Sequence, residues 1–310
     1  MSNNEIIFTD EFISIPLTDI KKKIIDDGYF YFEKALSDRF IREIENEISV
    51  YRFSMNENKP TGTFTIGQYF FVDLLKISKS FYKYVTSQFV GNLCGSYFGE
   101  NFRLKALRYY ETFGNFHMQW HTDNKTDREF AEIPGLIFIF YVSDVDDGEF
   151  QYVEGSHRWS NHKAYNDFSD EFIRQQYSND IRSFKGSKGS LIIYNTYGVH
   201  RAKPSRNSSL VRKSVFFQVD GDVGNSEPIY LNTSYHTNKQ PWVEQFLGFG
   251  LNQSYKPFPS SNVASLPISI MRKSLSLVFN GMIINLLKRN KLTRKFSKRF
   301  KSLIFSFLKK

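Results

Sequence analysis

The sequence predicts a mainly β protein: a double-stranded β-helix (a jelly-roll or cupin-like barrel) with N-terminal helices and a C-terminal basic amphipathic helical extension. Three observations lead there. From about residue 102 the chain runs through "FRLKALRYYETF", "GLIFIFYVSDV", "EFQYVEGS", "GSLIIYNTY" and "SLVRKSVFFQVD", all rich in β-branched and aromatic residues. Turn chemistry separates them ("GN", "DDG", "GS", "KPSRNSS"), with no βαβ alternation and no internal repeat, which favours an antiparallel barrel over a parallel sheet. Aromatic residues make up 17% of the chain, a level that suits a β-rich core around a lined pocket.

Before the strands the pattern is helical. Ile20, Ile24 and Ile25 predict a short helix stopped near Gly28, and "YFYF" (29–32) reads as a strand. Ser37 with Asp38 reads as the N-cap of a second helix with Phe40, Ile41, Ile44 and Ile48 on its apolar face. A polar insertion at about 158–188, helical around "SDEFIRQQY", is either a lid over substrate or a surface excursion. Strand signal fades from residue 236, and "KPFPSSNVASLP" (256–267) resembles a linker. The expected division is a barrel domain over 1–255, a linker over 256–270 and a tail over 271–310.

Composition narrows the function classes. The chain has 310 residues, 41% of them hydrophobic and 24% charged, enough for a substantial core. A single cysteine, Cys94, excludes an intrachain disulfide and a cysteine-based zinc site, and in its apolar surroundings it reads as a buried small residue. The start lacks a basic region followed by an apolar run, and no apolar run is long enough to span a bilayer, so a cytoplasmic protein is expected. The net charge of +9 is local in origin: residues 271–310 hold twelve Lys and Arg and no acid, while the rest holds 29 basic and 32 acidic residues. In the tail Leu292, Phe296, Phe300, Leu303, Ile304 and Phe307 form an apolar stripe at helical spacing. A basic face with a Phe-rich stripe predicts contact with an anionic membrane surface, on the inner face of the membrane, in preference to nucleic acid or a partner helix.

The chemistry concentrates in "HMQWHTDNKTD" (117–127). In an extended segment residues i and i+2 share a face, so His121 and Asp123 converge while Thr122 turns away. An imidazole and a carboxylate on one face are two-thirds of a facial triad for non-haem Fe(II), and His200, at the end of the apolar segment "LIIYNTYGVH", is the best third ligand. Three protein ligands leave positions open for cosubstrate and O2. Arg212 and Ser214 in "SLVRKSVFF" share a strand face amid apolar neighbours, where a guanidinium needs an anion. Among the other histidines, His117 reads as a pocket-wall or surface residue, His157 as structural, and His162 and His236 as exposed. Trp120 is expected in the aromatic core.

Together these residues resemble the phytanoyl-CoA dioxygenase-like branch of the Fe(II)/2-oxoglutarate oxygenases. The resemblance runs from about Asp27 to Val219 through "DDGYFYF", "WHTD", "DVDDGEFQYVEGSHRWS", "GSLIIYNTYGVHRA" and "VRKS". The family has an acidic or Asn-Gly turn followed by a strand and a Gly-Ser-His corner, here Asp146-Asp147-Gly148 and Gly155-Ser156-His157. This chain departs from it with Glu154 where Pro is usual and Asp147 where Asn is common. The resemblance implies that His121, Asp123 and His200 bind Fe(II). Arg212, twelve positions after His200, would hold the distal carboxylate of 2-oxoglutarate with Ser214 as helper, and Arg108 and Tyr110 would contact the cosubstrate.

It further implies O2-dependent oxidation of an unactivated C–H bond, with succinate and CO2 as co-products. Hydroxylation is favoured over halogenation, because halogenases of this type lack the carboxylate that Asp123 supplies. The family's substrates span acyl-CoA, amino-acid derivatives, alkaloids and glycan-related molecules. A membrane-bound tail would add lipids and lipid-linked glycans to the small molecules considered. Two alternatives stay open from the residues: a cupin-like metal enzyme without oxygenase chemistry, and a catalytically silent, membrane-tethered binding barrel.

Overall fold

The computed structural model describes residues 7–54, 62–65, 68–114, 118–123, 134–159, 168–207, 209–224, 226 and 229–251. The chain divides into two compact units, Met1–Pro257 and Phe258–Lys310. The predicted linker and tail lie outside the described residues, so the account below concerns the first unit.

The architecture is mainly β, built from antiparallel sheets. Among the described residues there are ten strands: β1 (Tyr29–Phe32), β2 (Gly62–Thr65), β3 (Gln68–Phe71), β4 (Arg103–Phe113), β5 (Leu136–Tyr141), β6 (Val145–Val153), β7 (Ile181–Gly186), β8 (Leu191–Asn195), β9 (His200–Ala202) and β10 (Val211–Asp220). Seven form one sheet in the order β1-β8-β5-β10-β4-β3-β2, and three form another in the order β7-β6-β9. The segment around His121 extends the smaller sheet beside β9: Met118 N–H donates to the Ala202 carbonyl (3.1 Å), and His121 and His200 exchange backbone bonds of 3.0 and 2.9 Å.

Period-two alternation decides the layers. In β5 and β8, Leu136, Phe138, Phe140, Leu191 and Ile193 point to one face, where they join Val215, Phe217 and Val219 of β10. That face is covered by α1 (Asp10–Ile13), α2 (Leu17–Asp26), α3 (Asp38–Ser54), α4 (Leu74–Ile77), α5 (Lys79–Val85) and α6 (Gln88–Phe98). Of their apolar residues, Phe12, Ile24, Phe40, Ile44, Tyr84 and Phe89 are buried in that core. Full burial of each such large side chain contributes ~1.5–3 kcal/mol. The intervening residues Ile137, Tyr141, Ile192 and Tyr194 point the other way and meet Val145, Phe150, Tyr152 and Phe184 of the smaller sheet. The chain is thus layered as helices, large sheet, small sheet.

Several expectations change on folding. Ile25, expected on the apolar face of the first helix, is 49% exposed, while Ile20 and Ile24 are buried. Ser37 does accept from the Phe40 N–H at 3.2 Å, as an N-cap should. The predicted turn at Asp146–Gly148 is instead the bulged start of β6, where the pairing with β7 shifts register and Gly148 adopts φ +64°. The insertion at 158–188 contains β7 and a helix, α7 (Asp170–Tyr177). Ile173 of α7 packs with Trp120, Val153 and Val199 on the outer face of the smaller sheet, so this helix is a surface excursion and not a lid. Residues 160–167 lie outside the described residues. Near the C-terminal end of the unit, α8 (Pro241–Phe246) buries Val243 and Phe246.

Two glycines differ sharply in what surrounds them. A Cβ at Gly198 would lie 1.7 Å from the Tyr152 hydroxyl and 2.0 Å from its Cζ, whereas a Cβ at Gly95, inside α6, meets nothing within 4 Å. Gly198→Ala is expected to cost ~1–3 kcal/mol from overpacking, and Tyr152→Phe should not rescue it because the ring itself is in the way. Gly95→Ala is expected to stabilise by ~0.5–1 kcal/mol through helix propensity. Urea unfolding of the two single variants checks both signs.

Candidate active site

The site forms where the chain crosses between sheets. β8 ends at Asn195 in the large sheet and β9 begins at His200 in the small one. His200 therefore opens a new strand and does not close the apolar one, because the turn at Thr196–Val199 intervenes. That turn is held closely. Asn195 Oδ1 accepts from Tyr197 N–H (2.9 Å), and Gly198 N–H donates to the Asn195 carbonyl (3.0 Å). Ser156 Oγ donates to the Val153 carbonyl (2.6 Å) and accepts from Val199 N–H (2.7 Å). The Gly-Ser-His corner is thus a brace for the β8–β9 turn, and His157 Nε2, 2.9 Å from the Ile25 carbonyl oxygen, ties it to α2. The same turn takes Asp123: its N–H donates to the Thr196 carbonyl (3.2 Å).

His121, Asp123 and His200 come together as expected from the sequence. One donor atom from each lies within 4.8 Å of the others, and the two imidazole centroids are 4.4 Å apart. Both histidines are buried. Nδ1 of His121 lies 2.7 Å from the Gln119 carbonyl oxygen, and Nδ1 of His200 lies 3.0 Å from that of Gly198. A carbonyl only accepts, so each Nδ1 carries a proton, and in the neutral ring this leaves Nε2 with the lone pair. Burial depresses the His200 imidazole to about 4, with His121 acting in the same direction and Asp123 against it, so the ring is neutral near pH 7. Its bare Nε2 nevertheless faces Asp123 Oδ2 at 3.2 Å. Two acceptors at that distance repel; the Tyr194 hydroxyl, 3.0 Å from that oxygen and 3.4 Å from that nitrogen, offsets part of the repulsion, and a cation bound by both would offset it further. A buried N,N,O set of this kind suits a divalent first-row metal, and iron is the group these residues fit.

Arg212 and Ser214 lie on the inward face of β10, both less than a tenth exposed. Arg212 donates through Nη1 to the Gly148 carbonyl, while its Nε is buried without a hydrogen-bond partner. Burial lowers the guanidinium pKa, and Tyr141 and Glu149 oppose that. A buried guanidinium with an unpartnered N–H fits a carboxylate. Arg108 and Tyr110, the cross-strand partners of Phe216 and Ser214, share that face. Arg108 Nη1 donates to the Tyr110 hydroxyl (3.2 Å), and its guanidinium sits 5.2 Å above the Phe216 ring.

Sequence reasoning missed two groups here. Tyr194 donates to Asp123 Oδ2 at 3.0 Å and lies 3.4 Å from His200 Nε2. Its signal was present, since it alternates inward with Ile192, but an aromatic in an apolar strand reads first as core. Second, the chain neighbours of two candidate ligands, Trp120 and Arg201, meet on the outer face of the small sheet. Arg201 stacks 4.2 Å above Trp120 and donates to Asp170 Oδ1 (2.6 Å) and Gln151 Oε1 (2.9 Å), and Trp120 Nε1 donates to the same Asp170 oxygen (3.0 Å). Nothing in sequence spacing links residues 120, 170 and 201. His236, expected to be exposed, is held between the Tyr82 hydroxyl (3.0 Å) and Glu244 (3.3 Å). Cys94 is buried, and burial pushes its thiol well up. His117 and His162 lie outside the described residues.

Comparison with solved structures shows the same fold at low identity. HygX from Streptomyces hygroscopicus with nickel and 2-oxoglutarate bound is 13% identical, with a TM-score of 0.52 over 69% of this chain and 95% of that one. The non-haem α-ketoglutarate-dependent carbocyclase SnoK from nogalamycin biosynthesis is 12% identical, with a TM-score of 0.52 over 67% and 85%. The epimerase SnoN in complex with Fe3+, α-ketoglutarate and nogalamycin RO is 17% identical, with a TM-score of 0.51 over 66% and 82%. No curated protein matches the chain in sequence. The family model for phytanoyl-CoA dioxygenase (PhyH) matches residues 26–214, more than half the chain and the whole span from β1 to Ser214, and the protein belongs to that family of non-haem iron, 2-oxoglutarate-dependent oxygenases.

Proposed function

We propose that this chain binds Fe(II) through His121, Asp123 and His200, binds 2-oxoglutarate through Arg212 and Ser214, and hydroxylates an unactivated C–H bond of a small molecule. The observation that carries this is the convergence of two buried imidazoles and a carboxylate, one donor atom from each within 4.8 Å of the others, with each imidazole Nδ1 held by a backbone carbonyl. Iron carrying 2-oxoglutarate supplies, with O2, an oxidant strong enough for such a bond, and releases succinate and CO2. The protein's own part is placement. Arg212 offers the distal carboxylate a buried, charge-assisted anchor, and Ser214 adds a hydroxyl on the same strand face. Phe150, whose ring centroid is 5.3 Å from that of His200, and Phe216 give the interior apolar walls that exclude water.

The solved structures carry small molecules, hygromycin B in HygX and nogalamycin RO in SnoN. That supports a small-molecule substrate here, with Arg108 and Tyr110 beside Phe216 as polar contacts within the barrel, open to cosubstrate or substrate. The activities named for these structures are carbocyclisation and epimerisation. Hydroxylation or a related oxidation is favoured over halogenation, because Asp123 occupies the place in the ligand set that a halide would need. The basic stretch 271–310 supports a second location-setting role at an anionic membrane surface, at the inner face of a membrane. No helix among the described residues is long and apolar enough to cross one.

Anaerobic addition of Fe(II) and then 2-oxoglutarate should give the weak visible charge-transfer band of a chelated facial-triad site. His200→Ala should abolish tight iron binding. Arg212→Ala should keep iron but weaken 2-oxoglutarate by about a hundredfold or more, the loss of a charge-assisted pair. An Arg212→Ala protein with unchanged cosubstrate affinity would point instead to a non-oxygenase metal enzyme.

For the tail, full-length protein should co-sediment with vesicles containing anionic lipid and not with neutral ones, and salt should weaken the binding. Replacing Phe296, Phe300 and Phe307 by Ser leaves the charge intact and should release the protein from vesicles. Retained binding would favour a purely electrostatic partner such as nucleic acid.

A further inference from the structure

The two converging histidines stand on neighbouring segments with little backbone to hold them together. β9 is three residues long. Among the described residues, the segment carrying His121 is tied to it through the backbone by the paired His121–His200 bonds and the Met118–Ala202 bond. Each ring offers a nitrogen to the same space, and the centroids are 4.4 Å apart. Nothing in the rings themselves therefore draws the two segments together.

The opposite face of the sheet supplies what the inner face lacks. The antiparallel register that pairs His121 with His200 sets Trp120 opposite Arg201, and alternation turns both outward. Both are buried, with the guanidinium stacked 4.2 Å above the indole. A single oxygen, Asp170 Oδ1, accepts from Trp120 Nε1 at 3.0 Å and from Arg201 Nη1 at 2.6 Å. One carboxylate thus joins the chain neighbour of one histidine to the chain neighbour of the other. Arg201 Nε donates to Gln151 of β6 (2.9 Å), which donates in turn to Ser183 of β7 (2.6 Å), so the clasp continues across the small sheet. Asp170 is itself fixed within α7. Ser169 caps that helix by accepting from Phe172 N–H (3.1 Å), and Arg174 Nε lies 2.8 Å from Asp170 Oδ2. A charged acceptor between these donors bonds more strongly than a neutral one and gives the buried Arg201 its counter-charge.

We propose that Asp170 is a positioning residue for the two candidate iron-binding histidines: by clasping Trp120 and Arg201 it holds the His121 segment against β9 and so keeps the two imidazoles at their spacing. The inference rests on the metal reading given above and deepens it, since it gives the polar insertion a part in iron binding from the far side of the sheet. Arg212 and Ser214 stand on β10 of the other sheet, so the clasp governs iron and not the cosubstrate.

The test compares full-length wild type with Asp170→Ala, Asp170→Asn and Glu154→Ala. Glu154, just past the end of β6, is the matched control. Its Oε2 also accepts from two side chains, Tyr29 (3.0 Å) and Arg182 (2.8 Å), but neither adjoins a candidate ligand in the chain. Thermal unfolding reports that each variant is folded. The Asp170 side chain is 47% exposed, so its truncation leaves no buried cavity. Asp170→Asn keeps the shape, loses the charge, and carries the test if Asp170→Ala does not fold. Iron affinity is read by competition with a chromophoric chelator, and cosubstrate affinity by anaerobic 2-oxoglutarate titration of the iron-loaded protein. Amide hydrogen exchange of the metal-free protein, over the peptides that hold His121 and His200, reports separation of the two segments. Asp170→Ala should lose about tenfold or more in Fe(II) affinity, the scale of outer-shell effects on metal sites, with 2-oxoglutarate binding within about threefold of wild type. Its His121 and His200 peptides should exchange several times faster. Glu154→Ala should match wild type in iron affinity and in those peptides. Unchanged iron affinity in a folded Asp170→Ala protein overturns the proposal, whatever the exchange shows. So does an equal loss in Glu154→Ala, which would make the effect one of general stability. Failure of wild type itself to bind Fe(II) would instead remove the metal reading, and this inference with it.

Discussion

The four-residue passage from β8 to β9 is the constraint on which the site depends. Within Thr196–Val199 the chain leaves the large sheet and enters the small one, close enough to Tyr152 that only glycine fits at position 198. Ser156 clamps the end of that passage, and the Thr196 carbonyl receives the backbone of Asp123. One turn therefore fixes where His200 begins, which carbonyl orients it, and where the carboxylate lies. The Gly-Ser-His corner holds this turn against β6 and α2.

Electrostatics in the interior follow from that placement. The interior between the sheets is packed with aromatic rings, and burial there works against charge: His200 is kept neutral and the Arg212 guanidinium is penalised. Neutral imidazoles are what a metal requires as ligands, so the desolvation that would be unfavourable elsewhere favours binding. Arg212 stays charged with an unpartnered Nε and thereby presents a strong demand for an anion. The interior thus holds separate demands for a cation and for a carboxylate, and 2-oxoglutarate on iron meets both.

The outer face of the small sheet carries a second polar assembly that touches none of the reacting groups. Trp120 and Arg201 are bonded neighbours of His121 and His200 but point to the opposite side of the sheet, where Asp170 and Gln151 hold them. Alternation forces this pairing: if the ligands face inward, their neighbours must face outward. The insertion that carries α7 is anchored by these contacts, which explains why a polar stretch interrupts the strand series without disturbing the two sheets.

The sequence by itself determined the class of fold, the strands β4, β5, β6, β8 and β10, and the identity of the converging donors. These rest on local rules, namely alternation of apolar residues, the i, i+2 spacing of His121 and Asp123, and turn residues at fixed places. The weaker expectations failed where a local rule was overridden. β2 and β3 were not anticipated, and β7 was hidden in a polar insertion because its inward positions are few. The turn at Asp146–Gly148 became a strand bulge because pairing with β7 resumes only at Phe150. Only the tertiary structure decided the rest: that His200 opens a strand, that His236 is held by Tyr82 and Glu244, and that Tyr194 reaches Asp123 across 71 positions. The reason is physical. Periodicity in a sequence says which face a side chain takes, but the partner waiting on that face comes from another part of the chain, and only the packing of one sheet on the other brings it there.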